Sequence, residues 1–359
     1  MITLLDFIPA EIISGQVAES VYDGPYLFID NNKLKAISVR NGVIKKMEVT
    51  PENFNLLSRR YDFSFSYNNI WEKYNSEVPE NYSFTGESNI ALMADLHGEY
   101  GNYIRMLKRT GIIDRDLNWS FGDGQLIILG DIFDRGPMVT EILWHLYGLE
   151  MQASAAGGKV HILLGNHEYM ILTGDSKFIN TKYSHVEQIT GKSYSDFFVS
   201  NSVLGNWLRK MPVVIKINKM LFTHAGISTE LVREKTDIIQ MNRIYRDMLT
   251  ENPADYSYLT SGSSRNTQLG EMLFFRGYFT DDQFNESKLD SILTFYGVDR
   301  IIVGHTTLSE VKSMYNKKLI GIDAGLMYYH SGEMLLYEND TFYRVLYNGQ
   351  RKKIFDDTD

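Results

Sequence analysis

Five apolar runs in this chain end abruptly in short polar sequences. Ile90 to Ala94 leads into Asp95-Leu96-His97-Gly98, and Leu126 to Leu129 into Gly130-Asp131-Ile132-Phe133-Asp134-Arg135-Gly136. Val160 to Leu164 leads into Gly165-Asn166-His167-Glu168, Met220 to Thr223 into His224-Ala225-Gly226, and Ile301 to Val303 into Gly304-His305-Thr306. Short apolar runs bounded by glycine read as buried strands. The loops beyond the carboxyl ends of such strands are where open α/β sheets place their ligands.

Helical spacing fills the gaps between the first three runs. Glu99 to Thr110 predicts a helix closed by Lys108, Arg109 and Gly111. Pro137 opens another, with Val139, Ile142, Leu143 and Leu146 along one face. Strands alternating with helices imply right-handed crossovers and a largely parallel sheet. The second half is more antiparallel: Val213 to Ile217 with Met220 to Thr223, and Met334 to Tyr337 with Thr341 to Tyr347, read as hairpins, and Leu319 to Ile322 as a further buried strand. Two mixed sheets with helices outside make an α/β fold of the αββα sandwich type.

The rest of the chain divides around this core. Tyr26 to Asp30, Leu34 to Val39 and Val43 to Val49, separated by Asn31-Asn32 and Asn41-Gly42, predict a β meander. Residues 50–88 read as a connector, so 1–88 forms an N-terminal β-rich extension and 89–349 the catalytic domain. Segments 170–212 and 228–275 carry irregular helical sequence and no site motif, which suits a cap over the site. Residues 350–359 read as a C-terminal tail.

Composition narrows the function classes. The chain has 359 residues, 43% of them hydrophobic, enough for a large core. No apolar run approaches the ~20 residues of a membrane-spanning helix. Met1 to Val17 carries Asp6 and Glu11 and no basic residue precedes Lys33, so the charged start of an export signal is missing. The reading is a soluble protein with no membrane partner, cytoplasmic or, if an export signal has been removed, periplasmic. With zero cysteines, thiolate ligands and a cysteine nucleophile are excluded. A net charge of -9 without clustered Lys and Arg argues against a nucleic-acid partner.

What remains is oxygen and imidazole chemistry at strand ends. Asp95, His97 and Asp131 could hold one cation; Asp131, Asn166, His224 and His305 could hold a second, with the Asp131 carboxylate bridging. Mixed N and O ligands suit Mn, Fe or Zn, and also Co or Ni. Two ions ~3.5 to 4 Å apart lower the pKa of a shared water from about 15.7 to about 7, giving a bridging hydroxide for direct in-line attack on phosphorus. His167, paired with Asp134, would serve as general acid. Arg135 would fork onto phosphate oxygens. Asp323 closes a strand beside His305 and reads equally as a turn residue or as a group orienting a ligand histidine. His161 and His185 read as structural.

These motifs resemble the calcineurin-like metallophosphoesterase superfamily, in particular its phosphoprotein phosphatase branch, with motifs in order over residues 89 to 325. Phe274-Phe275-Arg276-Gly277-Tyr278 is similar to the Trp-Tyr-Arg-Gly-Tyr motif of the bacterial-type Shewanella-like phosphatases, which implies Arg276 as a second phosphate clamp. Gly304-His305-Thr306 matches that branch better than the eukaryotic serine/threonine enzymes. The chain lacks Ser-Ala-Pro-Asn-Tyr, and both aromatic positions before Arg276 are Phe. The resemblance implies a phosphomonoesterase acting on a phosphorylated protein or small phosphoester, with phosphotyrosine and phosphoserine/threonine both open. A dinucleoside polyphosphate hydrolase of the diadenosine tetraphosphate type is the neighbouring alternative, and a metal- or phosphate-binding protein without activity a third. Retention of the Asp134–His167 pair, which holds no metal, argues against the third.

Overall fold

The computed structural model describes residues 21–86, 89–250, 270–327 and 332–357. Its strands are β1 (Asp23–Asp30), β2 (Lys33–Arg40), β3 (Val43–Val49), β4 (Ser83–Phe84), β5 (Asn89–Met93), β6 (Gln125–Ile128), β7 (Lys159–Ile162), β8 (Val214–Ile217), β9 (Met220–Thr223), β10 (Arg300–Val303), β11 (Lys312–Met314), β12 (Leu319–Gly321), β13 (Glu333–Glu338), β14 (Thr341–Leu346) and β15 (Arg351–Asp356). They form an antiparallel meander β1-β2-β3 and two six-stranded sheets, ordered β15-β14-β13-β5-β6-β7 and β11-β12-β10-β9-β8-β4.

The two large sheets are mixed and pack face to face, as the αββα reading requires. Strand periodicity sends alternate residues to opposite faces. Ile90 and Leu92 of β5, Ile127 of β6, Ile215 of β8, Phe222 of β9 and Ile302 of β10 fill one cluster between the sheets. Their neighbours Ala91, Met93, Leu126, Ile128, Val214, Leu221 and Ile301 belong to a second cluster, shared with the helices outside. Strands covered on both faces must be apolar throughout, which is why these runs were legible. The pairs β5–β6, β6–β7 and β9–β10 are parallel, so the motifs that follow them emerge at the same ends of adjacent strands.

Two segments are more structured than their composition predicts. The connector holds helices Phe54–Tyr61 and Tyr67–Asn75, and β4 adds to the second sheet beside β8. Its Phe63 and Phe65 pack on Trp144 of the helix Val139–Ala155, and the Trp144 indole donates to Pro25 O at 2.9 Å. The meander and connector therefore share a core with the helices and strands of residues 89–349. The second difference is at the other end: residues 351–356 of the expected tail form the edge strand β15 on β14. Backbone pairing needs no apolar side chain, and Arg351, Lys352 and Lys353 are exposed along that edge, where charge discourages further pairing. Among the described residues no helix is long and apolar enough to cross a membrane.

Candidate metal centre

The motif loops lock into one another through backbone bonds. Asp95 N donates to Gly130 O at 3.1 Å, His97 N to Asp131 O at 2.8 Å and Gly98 N to Ile132 O at 2.9 Å, tying the loop after β5 to that after β6. His167 N donates to Asp131 Oδ1 at 3.0 Å, joining the loop after β7. Between sheets, the His224 ring nitrogen Nδ1 donates to Leu129 O at 2.6 Å and His305 N to Asp95 Oδ2 at 2.9 Å. Close approach demands glycine at two contacts. A Cβ on Gly130 would lie 2.4 Å from Gly165 N, and one on Gly136 would lie 2.2 Å from His97 O.

That locking holds an unusual backbone. Asp95, His97, Asp131, Asp134, Arg135 and His305 all have positive φ, between 42° and 70°. Each such non-glycine residue costs on the order of 1–3 kcal/mol, and such strain concentrates at functional sites.

Side chains converge on Asp131. Its Oδ2 lies 3.3 Å from His224 Nε2, 3.8 Å from His97 Nε2 and 3.9 Å from His167 Nε2. Among the described residues, two groups could grip a cation: His97, Asp131 and His167, and Asp131, His224 and His305. Asp131 belongs to both, the place expected of a bridge. Asn166 Oδ1 and His305 Nδ1 lie 3.0 Å and 3.1 Å from His224 Nε2, which brings Asn166 beside the second group. Asp95 stands outside both, with Oδ2 taken by the His305 backbone. His167, expected only as an acid, stands inside the first. Its Nδ1 lies 2.5 Å from Asp134 Oδ2, the anticipated pair.

These residues fit a cationic group. His97 Nδ1 and His224 Nδ1 donate to the carbonyls of Phe133 and Leu129, so in the neutral rings the Nε2 atoms facing Asp131 carry lone pairs. At His224 the ring Nε2, the Asn166 amide oxygen and the Asp131 carboxylate converge, an arrangement that calls for positive charge among them, whether a proton on the ring or a cation in its place. His305 Nε2 is buried with no hydrogen-bond partner. Asp95, Asp131, Asp134, Glu168 and Asp323 are each at most 5% exposed, and buried carboxylates need cations. Burial and the nearby Asp323 push Asp95 well above the usual carboxylate range. Asp131 goes the other way despite its burial, held well below that range by His224 and His167. Burial drives His97 down to about 3 and His305 down to about 2; His224 is equally buried, but Asp131 lifts it to about 9.

Arg135 is half-buried, its N–H donating to Phe178 O at 3.0 Å. Arg276 is exposed, and its Nη1 donates to His305 O at 3.1 Å, which brings it to the second group. Asp323 is buried, and its oxygens accept from Thr307 Oγ1 at 2.7 Å and Gly325 N at 2.9 Å. His161 is structural, buried against Gln125.

Residue patterns along the sequence did not reveal the work of Glu168. Its carboxylate accepts from the N–H groups of Gly165, Asp131, Ile132 and Phe133, at 2.7, 2.7, 2.7 and 3.2 Å. Its place after Gly165-Asn166-His167 is a capping-box signal, since it returns to the residue that starts the helix Asn166–Leu172. Phe178 was also missed. It is 44% exposed, with its ring 5.6 Å from that of His167.

Residues 88–307 match the calcineurin-like phosphoesterase family model. The chain belongs to that family. Its members carry a dinuclear metal centre, and among the described residues two groups sharing Asp131 could each hold a cation. Among solved structures, a cold-active protein-tyrosine phosphatase of a psychrophilic Shewanella species is similar, with TM-score 0.79 and 30% identity over 94% of this chain and 100% of that one. Among curated proteins, Shewanella-like protein phosphatase 1 of Plasmodium berghei is 27% identical over 69% of each chain. Shewanella-like protein phosphatase 2 of Arabidopsis thaliana is 33% identical over 44% of this chain and 38% of its own. This calcineurin-like phosphoesterase is a phosphoester hydrolase of the Shewanella-like phosphatase kind.

Proposed function

We propose that this enzyme removes phosphate from phosphorylated proteins, with Asp95, His97 and Asp131 holding one divalent ion and Asp131, Asn166, His224 and His305 a second. The similarity to a protein-tyrosine phosphatase over nearly the whole chain supports the substrate class. The donor set is nitrogen and oxygen without sulfur, which suits Mn, Fe or Zn. When bound, two such ions supply a water of lowered pKa and neutralise phosphate oxygens.

The observation that carries the reading is the Asp134–His167 pair beside Asp131. Burial works against an imidazolium at His167, but Asp131 and the hydrogen-bonded Asp134 outweigh it and raise its pKa. Nδ1–H donates to Asp134, which leaves Nε2 to hold a proton on the side facing the metal groups. In an in-line displacement that proton goes to the leaving oxygen as its bond to phosphorus breaks. Arg135 and Arg276 approach from opposite loops and would grip the remaining phosphate oxygens as their charge rises. Segments 170–212 and 228–275 are the proposed cap; the first supplies Phe178, and residues 251–269 of the second lie outside those described.

The test is a metal-replete assay of a phosphotyrosine peptide, a phosphoserine peptide and diadenosine tetraphosphate, with His167→Asn as control. Turnover of phosphopeptides, abolished in the variant, is expected. Cleavage of diadenosine tetraphosphate alone would replace the reading with a nucleotide hydrolase. No turnover with metal bound would refute both.

A further inference from the structure

Asp134 and Arg135 are consecutive non-glycine residues in the left-handed region, with φ of 70° and 62°. A loop of that shape does not hold itself. Much of the fixation comes from one short stretch of the first cap segment. Phe178 O accepts from Arg135 N at 3.0 Å, and Asn180 Nδ2 donates to Arg135 O at 2.6 Å. Lys182 Nζ donates to Pro137 O at 2.7 Å, and Tyr183 OH donates to the same carbonyl at 3.0 Å while accepting from Val139 N at 2.7 Å.

Lys182 is itself held from the N-terminal sheet. Its ammonium lies 2.9 Å from Asp23 Oδ1 and 3.4 Å from Glu141 Oε1. An ammonium has three protons; Pro137 O and Glu141 Oε1 each accept one, and Asp23 Oδ1 faces the same ammonium as an ion pair. The Asp23 side chain is fully buried on β1, and Tyr26 OH donates to its second oxygen. Lys182 is largely buried too; that disfavours its charge, but the Asp23 and Glu141 carboxylates more than offset the effect and raise its pKa.

We propose that Asp23 is a positioning residue for Arg135, acting through Lys182, so that the N-terminal sheet sets the shape of the phosphate-gripping loop. Resting on the reading of Arg135 as a phosphate clamp, the inference gives the extension a part in the reaction and not only in the core. The chain of contacts is continuous: Asp23 to Lys182, Lys182 to Pro137 O, and Pro137 two residues from Arg135.

The test uses the full metal-loaded chain, with KM, kcat and competitive inhibition by inorganic phosphate measured for wild type, Asp23→Asn, Lys182→Gln, the double variant and Arg135→Lys. Displacements of about an ångström around a reacting group cost up to ~10²-fold. We expect Asp23→Asn and Lys182→Gln to raise the phosphate inhibition constant and KM roughly tenfold, with kcat less affected and metal content unchanged. The double variant should be no worse than Lys182→Gln alone. If Asp23→Asn lowers Tm but leaves phosphate inhibition unchanged while Arg135→Lys weakens it, the proposal is overturned and the pair is only structural. If Arg135→Lys leaves phosphate inhibition unchanged, the clamp reading itself fails. Should Asp23→Asn not fold, Lys182→Arg keeps a cation beside Asp23 without the compact three-way contact, and the same change in phosphate inhibition decides the matter.

Discussion

Glu168 Oε2 lies 2.7 Å from the backbone nitrogen of Asp131, so the loop that presents the Asp131 carboxylate is hung on a carboxylate in the first turn of the helix Asn166–Leu172. The same side chain serves Gly165, Ile132 and Phe133 and is wholly buried. Glu168→Gln keeps the shape but replaces one acceptor oxygen with an NH2 facing backbone N–H groups. Leaving buried donors unsatisfied costs ~1–3 kcal/mol, and loss of an orienting partner typically costs about 10–100-fold in metal affinity or activity. The variant should therefore unfold at lower temperature and need more added metal for half-maximal activity. Wild-type metal titration and Tm together would remove Glu168 from this role.

A proton donor matters most when the leaving group is poor. His167→Asn should lower kcat by about 10²–10⁴-fold on phosphoserine peptides. The loss should shrink steadily across substituted phenyl phosphates as the leaving phenol becomes more acidic. The measurement is the slope of log kcat against leaving-group pKa, which should be steeper in the variant. Parallel lines would show that His167 acts in some other way, for instance as a third ligand with His97 and Asp131.

Asp131 Oδ2 stands in both candidate metal groups. Asp131→Asn weakens a ligand common to both, so metal analysis of the purified variant should show both ions reduced together. Full occupancy at one site with loss at the other would make Asp131 a ligand of a single ion.

What was legible in the chain was whatever neighbours in sequence decide. The strands before Asp95, Asp131 and Asn166 are apolar because both faces are covered, and the polar residues after them mark where cover ends. Side chains that act on distant loops left no such trace. Lys182 is an unremarkable lysine until Asp23 and Pro137 are seen around it. β15 escaped notice because edge pairing uses its backbone while Arg351, Lys352 and Lys353 face solvent. Phe178 falls in segment 170–212, read as irregular helical sequence with no site motif, and nothing local says that its ring meets His167.

That ring leads to a prediction about selectivity. Phe178 lies beside the proposed acid, its ring 5.6 Å from that of His167, and it is 44% exposed. Aromatic pairs contribute about 0.5–1.5 kcal/mol beyond burial, so a phenyl leaving group gains from it and a serine side chain does not. Phe178→Ala keeps the backbone carbonyl that holds Arg135. It should lower kcat/KM about tenfold on a phosphotyrosine peptide and less than about twofold on the matched phosphoserine peptide. Equal losses would mean that Phe178 supports the loop and does not touch substrate.

His161 sets a stability limit that is independent of the metal groups. Its ring is buried between Gln125 and Phe84, with Nε2 2.7 Å from Gln125 Oε1. Burial, with a smaller contribution from Lys159, holds its pKa down to about 3. In the unfolded chain a histidine titrates near ~6.5. Below that pH the unfolded state takes up a proton that the folded state refuses, so stability falls as pH drops from about 6.5 towards 3. At ~1.36 kcal/mol per pH unit, the window amounts to at most about 5 kcal/mol. His161→Gln removes the titrating group and offers an amide to Gln125. Urea unfolding midpoints at several pH values should then fall less steeply below pH ~6.5 than those of the wild type. Matching acid limbs in the two proteins would mean that other groups set the acid sensitivity.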